Sequence, residues 1–183
     1  MRAAILVEGV SDSAALRALA ARRGRDLTAE GIGILVMDGA TNAARYLREY
    51  GPSGQDLKLA GLFDEAEERF FRLGLERAGF VPGPGTEDLE ELGFFVCRAD
   101  LEDELIRAVG AEQVLRIVAD EGEERSFRTL QRQPAMRDKT LLHQLRRMMG
   151  GRSGGKERWA RLLAEAVPLE RVPRPLDQVL ARL

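Results

Sequence analysis

The stretch Ala3-Ala4-Ile5-Leu6-Val7-Glu8-Gly9-Val10-Ser11-Asp12 decides the fold. A short unbroken apolar run suits a strand buried on both faces, as in a parallel sheet covered by helices. Glu8-Gly9 ends the run, and Ser11 or Asp12 is expected to cap a helix whose apolar positions Ala15, Leu16, Leu19 and Ala20 recur at helical spacing before Gly24. The same alternation repeats along the chain. Ile32 to Met37 reads as a second strand, followed by the glycine loop Asp38-Gly39-Ala40-Thr41-Asn42 and a helix through about Tyr50. Leu57 to Phe63 is the third strand; Asp64 ends it, and the acidic run to Glu68 leads into a helix bearing Phe70, Phe71 and Leu75. After the loop Pro82-Gly83-Pro84-Gly85 comes a fourth strand, Gly93 to Cys97, and then Asp100-Leu101-Glu102-Asp103-Glu104 opens another helix. Each crossover helix must return over a face of the sheet before the next strand can start, so the sheet is largely parallel. From Glu112 onward the spacing is helical, broken near Glu121-Gly122, Gln133-Pro134, Gly150 to Gly155 and Pro173 to Pro175. The expected architecture is α/β. A Rossmann-like domain over residues 1–110 carries a four-stranded, mostly parallel sheet flanked by helices, and a helical C-terminal lobe over 111–183 packs on it.

Composition narrows the function. A chain of 183 residues with 44% hydrophobic content can bury a full core. One cysteine, Cys97, excludes an internal disulfide and a cysteine zinc cluster; one histidine, His143, excludes a histidine-rich zinc site. Cys97 falls in a strand pattern and reads as inert core. No signal peptide and no apolar run long enough for a bilayer is visible, so a cytoplasmic protein without a membrane partner is expected. The net charge of −2 conceals an asymmetry: residues 1–123 hold 14 basic and 24 acidic side chains, residues 124–183 hold 14 basic and 6 acidic. One part is suited to cations and the other to a polyanion, although solvated helix faces also carry such charge.

In an open parallel sheet, ligands bind outside the carboxyl ends of the strands. Three strands end close to acids: Glu8 with Asp12, Asp64 with Glu65 and Glu67, and Asp100 with Glu102. Carboxylates converging there repel one another and raise each other's pKa unless cations neutralise them. Such hard oxygen donors suit Mg²⁺ or Mn²⁺, one or two ions, which activate water and stabilise a phosphoryl centre. Acids after strands also serve as helix caps, a role open to Asp12, Glu67, Asp103 and Glu104 in particular.

The order of these motifs resembles the TOPRIM domain. Leu6-Val7-Glu8-Gly9-Val10-Ser11-Asp12 is similar to its first motif, and the second acid four residues after the first resembles the variant of the OLD (overcoming lysogenization defect) nucleases. Gly39-Ala40-Thr41-Asn42 resembles the family's glycine loop, Leu62-Phe63-Asp64 the start of its paired-aspartate motif, and Asp100-Leu101-Glu102 its later acidic pair. The resemblance implies a TOPRIM fold and a metal-dependent endonuclease acting on DNA, with Glu8, Asp12, Asp64, Glu67, Asp100 and Glu102 as metal ligands and Glu8 also catalytic. In OLD proteins the domain follows an ATPase, which implies either a stand-alone form or a separate ATPase subunit as partner; a homodimer is a further expectation. The chain departs from the pattern at Ala66, where the family has its second aspartate, so that carboxylate must come from Glu65 or Glu67 or be missing. A catalytically silent domain that scaffolds nucleic acid is the alternative that this residue favours, and a small phosphotransferase is a third.

Gly150-Gly151-Arg152-Ser153-Gly154-Gly155-Lys156 imitates the start of a phosphate-binding P-loop. Glu157 stands where that loop needs Ser or Thr, and the preceding Leu141 to Met149 is helical in pattern rather than a strand. The glycines are better read as starting a helix, with Lys156 at its positive end. OLD nucleases resemble this too, which implies that Lys156 is catalytic, stabilising charge on the scissile phosphate, with Arg152 assisting. Trp159, Leu162, Leu163 and Val167 read as helix core, and Arg125, Arg128, Arg132, Arg146 and Arg147 as cations available to phosphate or solvent.

Overall fold

The computed structural model describes residues 1–151 and 154–183. Its elements follow the expected alternation: β1 (Ala3–Val7), α1 (Val10–Arg22), β2 (Ile32–Val36), α2 (Ala43–Tyr50), β3 (Lys58–Asp64), α3 (Glu68–Arg77), α4 (Thr86–Glu91), β4 (Phe94–Cys97) and α5 (Leu101–Val109). Then come α6 (Ala111–Asp120), α7 (Glu124–Gln131), α8 (Leu141–Met149), α9 (Gly155–Ala166) and α10 (Arg174–Ala181). Short 3-10 turns occupy Ala40–Asn42, Glu65–Glu67 and Leu169–Arg171.

All strand pairs are parallel and the order is β2-β1-β3-β4, with Val7 beside both Val36 and Leu62 and with Asp64 beside Cys97. Every residue of β1 is fully buried, which explains its unbroken apolar run. Alternation along the strands divides the core. Ala3, Ile5, Val7, Ala60, Leu62, Phe95 and Cys97 face α1, α5, α9 and α10, whereas Ala4, Leu6, Leu59, Phe63 and Phe94 face α2, α3 and α4. On the first face α9 packs along α1, burying Trp159, Ala160, Leu163 and Ala164, while Leu162 is half-buried. Arg22 ties the two helices, donating from Nη1 to the carbonyl oxygens of Ala164 (2.8 Å) and Val167 (2.6 Å) at the end of α9. The second face is closed by the stacked rings of Phe63 and Phe71, 4.5 Å apart, and by the close approach of α2 to α3 at Gly74.

Three local readings need correction. Helix α1 is capped by Gly9 rather than by Ser11 or Asp12; Asp12 stands three residues inside, and its carboxylate reaches back to accept the Gly9 N–H at 2.8 Å. The helix therefore starts immediately after Glu8-Gly9, because a carboxylate in the first turn satisfies the free N–H as well as one at the cap. Strand β3 extends one residue further than its apolar pattern, so that Asp64 is its last residue instead of the first beyond it. Helix α4, only six residues long, had no apolar periodicity to announce it.

Candidate metal and phosphate site

Parallel strands in register bring their carboxyl ends to one edge, and the acids follow. Glu8 leaves β1 and Asp64 closes the neighbouring β3; the backbone N–H of Asp64 donates to Glu8 Oε1 at 3.0 Å. On its other side the carbonyl of Glu8 accepts the N–H of Gly39 at 3.0 Å, so the glycine loop after β2 is hung from the same residue. Asn42 holds that loop by donating to the carbonyl of Met37 at 2.8 Å. Asp12 sits beneath, 8% exposed, and Asp100 and Glu102 arrive at the start of α5 after β4.

The proximity of these groups is visible in their proton affinities. Burial, followed by the charges of Glu8, Asp12, Asp100 and Glu102, pushes the Asp64 carboxyl up to about 8. Burial pushes Asp12 up to about 7, against the stabilising Gly9 N–H, with Glu8 and Glu102 adding to the rise. Glu8 is raised as well, chiefly by burial; the hydrogen bond from Asp64 N–H opposes this, Glu67 adds to it, and Lys156 again opposes it. Cys97, behind the cluster, is fully buried and its thiol is pushed far up by burial, in keeping with inert core.

Glu8, Asp12, Asp64, Asp100 and Glu102 act on one another's charge, and Glu67 on that of Glu8. Glu65 is exposed, and its Oε2 accepts the N–H of Ala99, the residue before Asp100, at 3.4 Å. Ala66 lies exposed between them. Lys156, in the first turn of α9, brings Nζ to 3.5 Å from Glu102 Oε1 while its side chain stays 61% exposed. Gly154 allows this approach: at φ 72° it turns the chain into α9 through a conformation that side chains disfavour. Helix α8, where a P-loop would need a strand, removes the ATP-binding imitation. Arg152 lies outside the described residues.

Sequence reasoning missed what holds the acids. Asp100 caps α5, its Oδ1 accepting the N–H of Asp103 at 2.8 Å, and its Oδ2 accepts a hydrogen bond from Arg146 of α8. Arg107 holds Asp103 at 2.5 Å. Nothing in local spacing links Arg146 to Asp100, which are 46 positions apart.

Among the described residues, no three His, Cys, Asp or Glu side chains stand close enough together to hold an ion as they are oriented. The donor chemistry nevertheless fits a hard divalent cation, since every candidate is an oxygen donor. One observation fits specifically: Glu102 is 5% exposed and its buried Oε1 has no hydrogen-bond partner, the Lys156 ammonium being near it without forming a hydrogen bond. A buried carboxylate oxygen left without a hydrogen bond is costly, and a cation at that edge would satisfy it.

A cleft of about 890 Å³ between α7, α8 and the start of α9 is lined by Arg125, Arg147, Arg158 and Trp159, among others, and by none of the clustered carboxylates. A wide cleft with arginines in its walls suits an anion, whereas the groups whose charges act on one another are the carboxylates. Arg128 is paired with Glu124 at 2.6 Å; Arg132 and His143 are exposed.

Residues 1–64 match the family model of the overcoming lysogenization defect protein-like TOPRIM domain. The first third of the chain is thus similar to an OLD-like TOPRIM domain, and its fold to the C-terminal regions of OLD proteins. Among solved structures, the C-terminal region of the Xanthomonas campestris pv. campestris OLD protein is similar over 99% of this chain and 93% of that one, with 26% identity and a TM-score of 0.73. The C-terminal region of the Burkholderia pseudomallei OLD protein has the same fold, with 24% identity, a TM-score of 0.73 and coverage of 99% and 96%. No curated protein matches in sequence. The TOPRIM domain belongs among nucleic-acid-processing, metal-binding domains, which generally hold divalent ions. No helix among the described residues is long and apolar enough to cross a membrane.

Proposed function

We propose that this TOPRIM domain is a nuclease that cleaves phosphodiester bonds in DNA with one or two Mg²⁺ or Mn²⁺ ions. The observation that carries this reading is the meeting of opposite charges at the strand ends. An exposed lysine at a helix N-terminus stands 3.5 Å from a buried carboxylate whose oxygen lacks a hydrogen bond. Glu8, Asp64 and Glu102, joined by Asp100, would hold the ions, and Asp12 would reinforce the negative potential from below. Glu67 would take the part of the aspartate replaced by Ala66, because its charge reaches Glu8 whereas Glu65 is turned to Ala99. A divalent ion in such a site supplies an activated water and a Lewis acid for the phosphoryl oxygens. The chain's own contribution is positional. Glu8, fixed by the Asp64 N–H, orients the cluster. Lys156 donates to the scissile phosphate where charge builds up, and the N-terminus of α9 adds its partial positive charge. The basic walls of the cleft, Arg125 and Arg147, would guide the backbone of the DNA.

Nicking of supercoiled plasmid in Mn²⁺ tests this reading. Glu8→Gln should abolish nicking, and Lys156→Ala should slow it about 10²–10³-fold, the usual loss for one oxyanion donor. Nicking that survives Glu8→Gln rules the site out. A second reading, a silent domain that binds nucleic acid, is favoured by Ala66 and by the separation of the carboxylates as they stand. It is supported if the protein retains a short duplex in Mn²⁺ without cutting it.

A further inference from the structure

Asp100 and Glu102 enter the cluster two residues apart on the same helix turn, yet they are held differently. Both oxygens of Asp100 are committed, Oδ1 to the N–H of Asp103 and Oδ2 to the Arg146 guanidinium. Glu102 has an oxygen without any hydrogen bond. Arg146 belongs to the last turn of α8, where a cation is favoured by the helix dipole, and its side chain is 36% exposed. Its second nitrogen, Nη1, lies 4.0 Å from Asp103 Oδ1, an oxygen not used by Arg107. The guanidinium can therefore leave Asp100 without losing its place on α8 or stranding a buried charge. A divalent cation approaching Oδ2 must in turn compete with the Arg146 charge already paired there.

We infer that Arg146 is an exchangeable counter-ion: it neutralises Asp100 until a divalent ion claims that carboxylate, and the freed guanidinium then turns to a phosphate of the nucleic acid. The inference rests on the nuclease reading and adds an order to it. A planar five-donor cation suits both partners, since carboxylate and phosphate each accept its forked N–H pair. Binding of metal and of DNA becomes mutually reinforcing, because each ligand favours the arrangement with Asp100 released.

Calorimetric titration of Mn²⁺ into the metal-free protein tests the competition. Arg146→Gln should bind Mn²⁺ about two- to fivefold more tightly than the wild type, the range expected when a partly exposed ion pair no longer competes. Arg161→Gln, which removes the same charge from an exposed position on α9, should leave the affinity unchanged. The gain should vanish when Arg146→Gln is combined with Asp100→Asn. In Ca²⁺, the wild type should bind a short DNA duplex more tightly than in chelator, and Arg146→Gln should lose that increase. Circular dichroism checks the fold of each variant; should Arg146→Gln unfold, Arg146→Lys, which holds Asp100 at a single point, should show a smaller tightening. Equal or weaker Mn²⁺ affinity in folded Arg146→Gln, with the wild type binding, overturns the exchange and spares the nuclease reading. If the wild type and both single arginine variants all fail to bind Mn²⁺, both fall.

Discussion

Asp12 links the charge of the cluster to the stability of the fold, and replacing Asp12 with Asn isolates that link. Its side chain is almost wholly buried, and burial with the charges of Glu8 and Glu102 pushes its carboxyl from the ordinary 3.8 to about 7. Below the ordinary value both the folded and unfolded chains hold the proton, and pH has no leverage. Between there and 7 the unfolded chain releases it while the folded chain keeps it, so stability falls as pH rises and levels off above 7. Each pH unit in this window removes about 1.4 kcal/mol, giving an upper bound of about 4 kcal/mol across it. Coupled carboxylates share their protons, so the part carried by Asp12 is smaller than this bound, on the order of 2 kcal/mol. Asp12→Asn keeps an amide oxygen for the Gly9 N–H and removes the titration. Metal-free variant and wild type should therefore unfold at closely spaced urea concentrations at pH 4, with the variant about 2 kcal/mol ahead at pH 8. A gap that stays constant with pH would refute the burial argument; a gap of opposite sign at pH 8 would show that the charged carboxylate is stabilising there.

Ala66→Asp returns a carboxylate two residues after Asp64 at an exposed position, with no packing lost. It should tighten Mn²⁺ binding about tenfold, measured by calorimetry and supported by faster plasmid nicking; an unchanged affinity would show that Glu67 already fills the role. Gly74→Ala would set its Cβ 3.0 Å from the backbone nitrogen of Ala44 and 3.2 Å from its Cα, where α2 cannot easily yield. The variant should lose about 1–2 kcal/mol in urea denaturation despite alanine's higher helix propensity. Arg22→Ala deprives the end of α9 of two charge-assisted hydrogen bonds. It should cost about 1.5–3 kcal/mol and speed amide exchange in the last turn of α9.

The fold was legible because its signals are local. Ala3 to Val7 could be assigned to a doubly buried strand from five adjacent residues, and the runs Ile32 to Met37, Leu57 to Phe63 and Gly93 to Cys97 could be assigned to strands from their apolar residues. Once the crossovers were known to be helical, parallel pairing followed, and with it the gathering of Glu8, Asp64 and Asp100 at one edge. Local rules erred where two solutions satisfy the same backbone group. Asp12 serves the first turn of α1 from inside the helix as well as a cap would from outside, and only the observed backbone of Gly9 distinguishes them.

The sequence by itself determined the strand and helix order, the acids after the strands, and the lysine that opens a glycine-led helix, because each depends on spacing within one or two turns. The tertiary structure decided which charges meet. That Arg146 takes Asp100, that Lys156 approaches Glu102 without bonding to it, that α9 lies against α1 through Arg22, and that Glu67 rather than Glu65 acts on Glu8 all depend on contacts between distant positions or on side-chain orientation. Periodicity reports which face of a helix is apolar, but not which neighbour covers it. The partner of a buried carboxylate is settled by competition among all the cations that packing brings within reach.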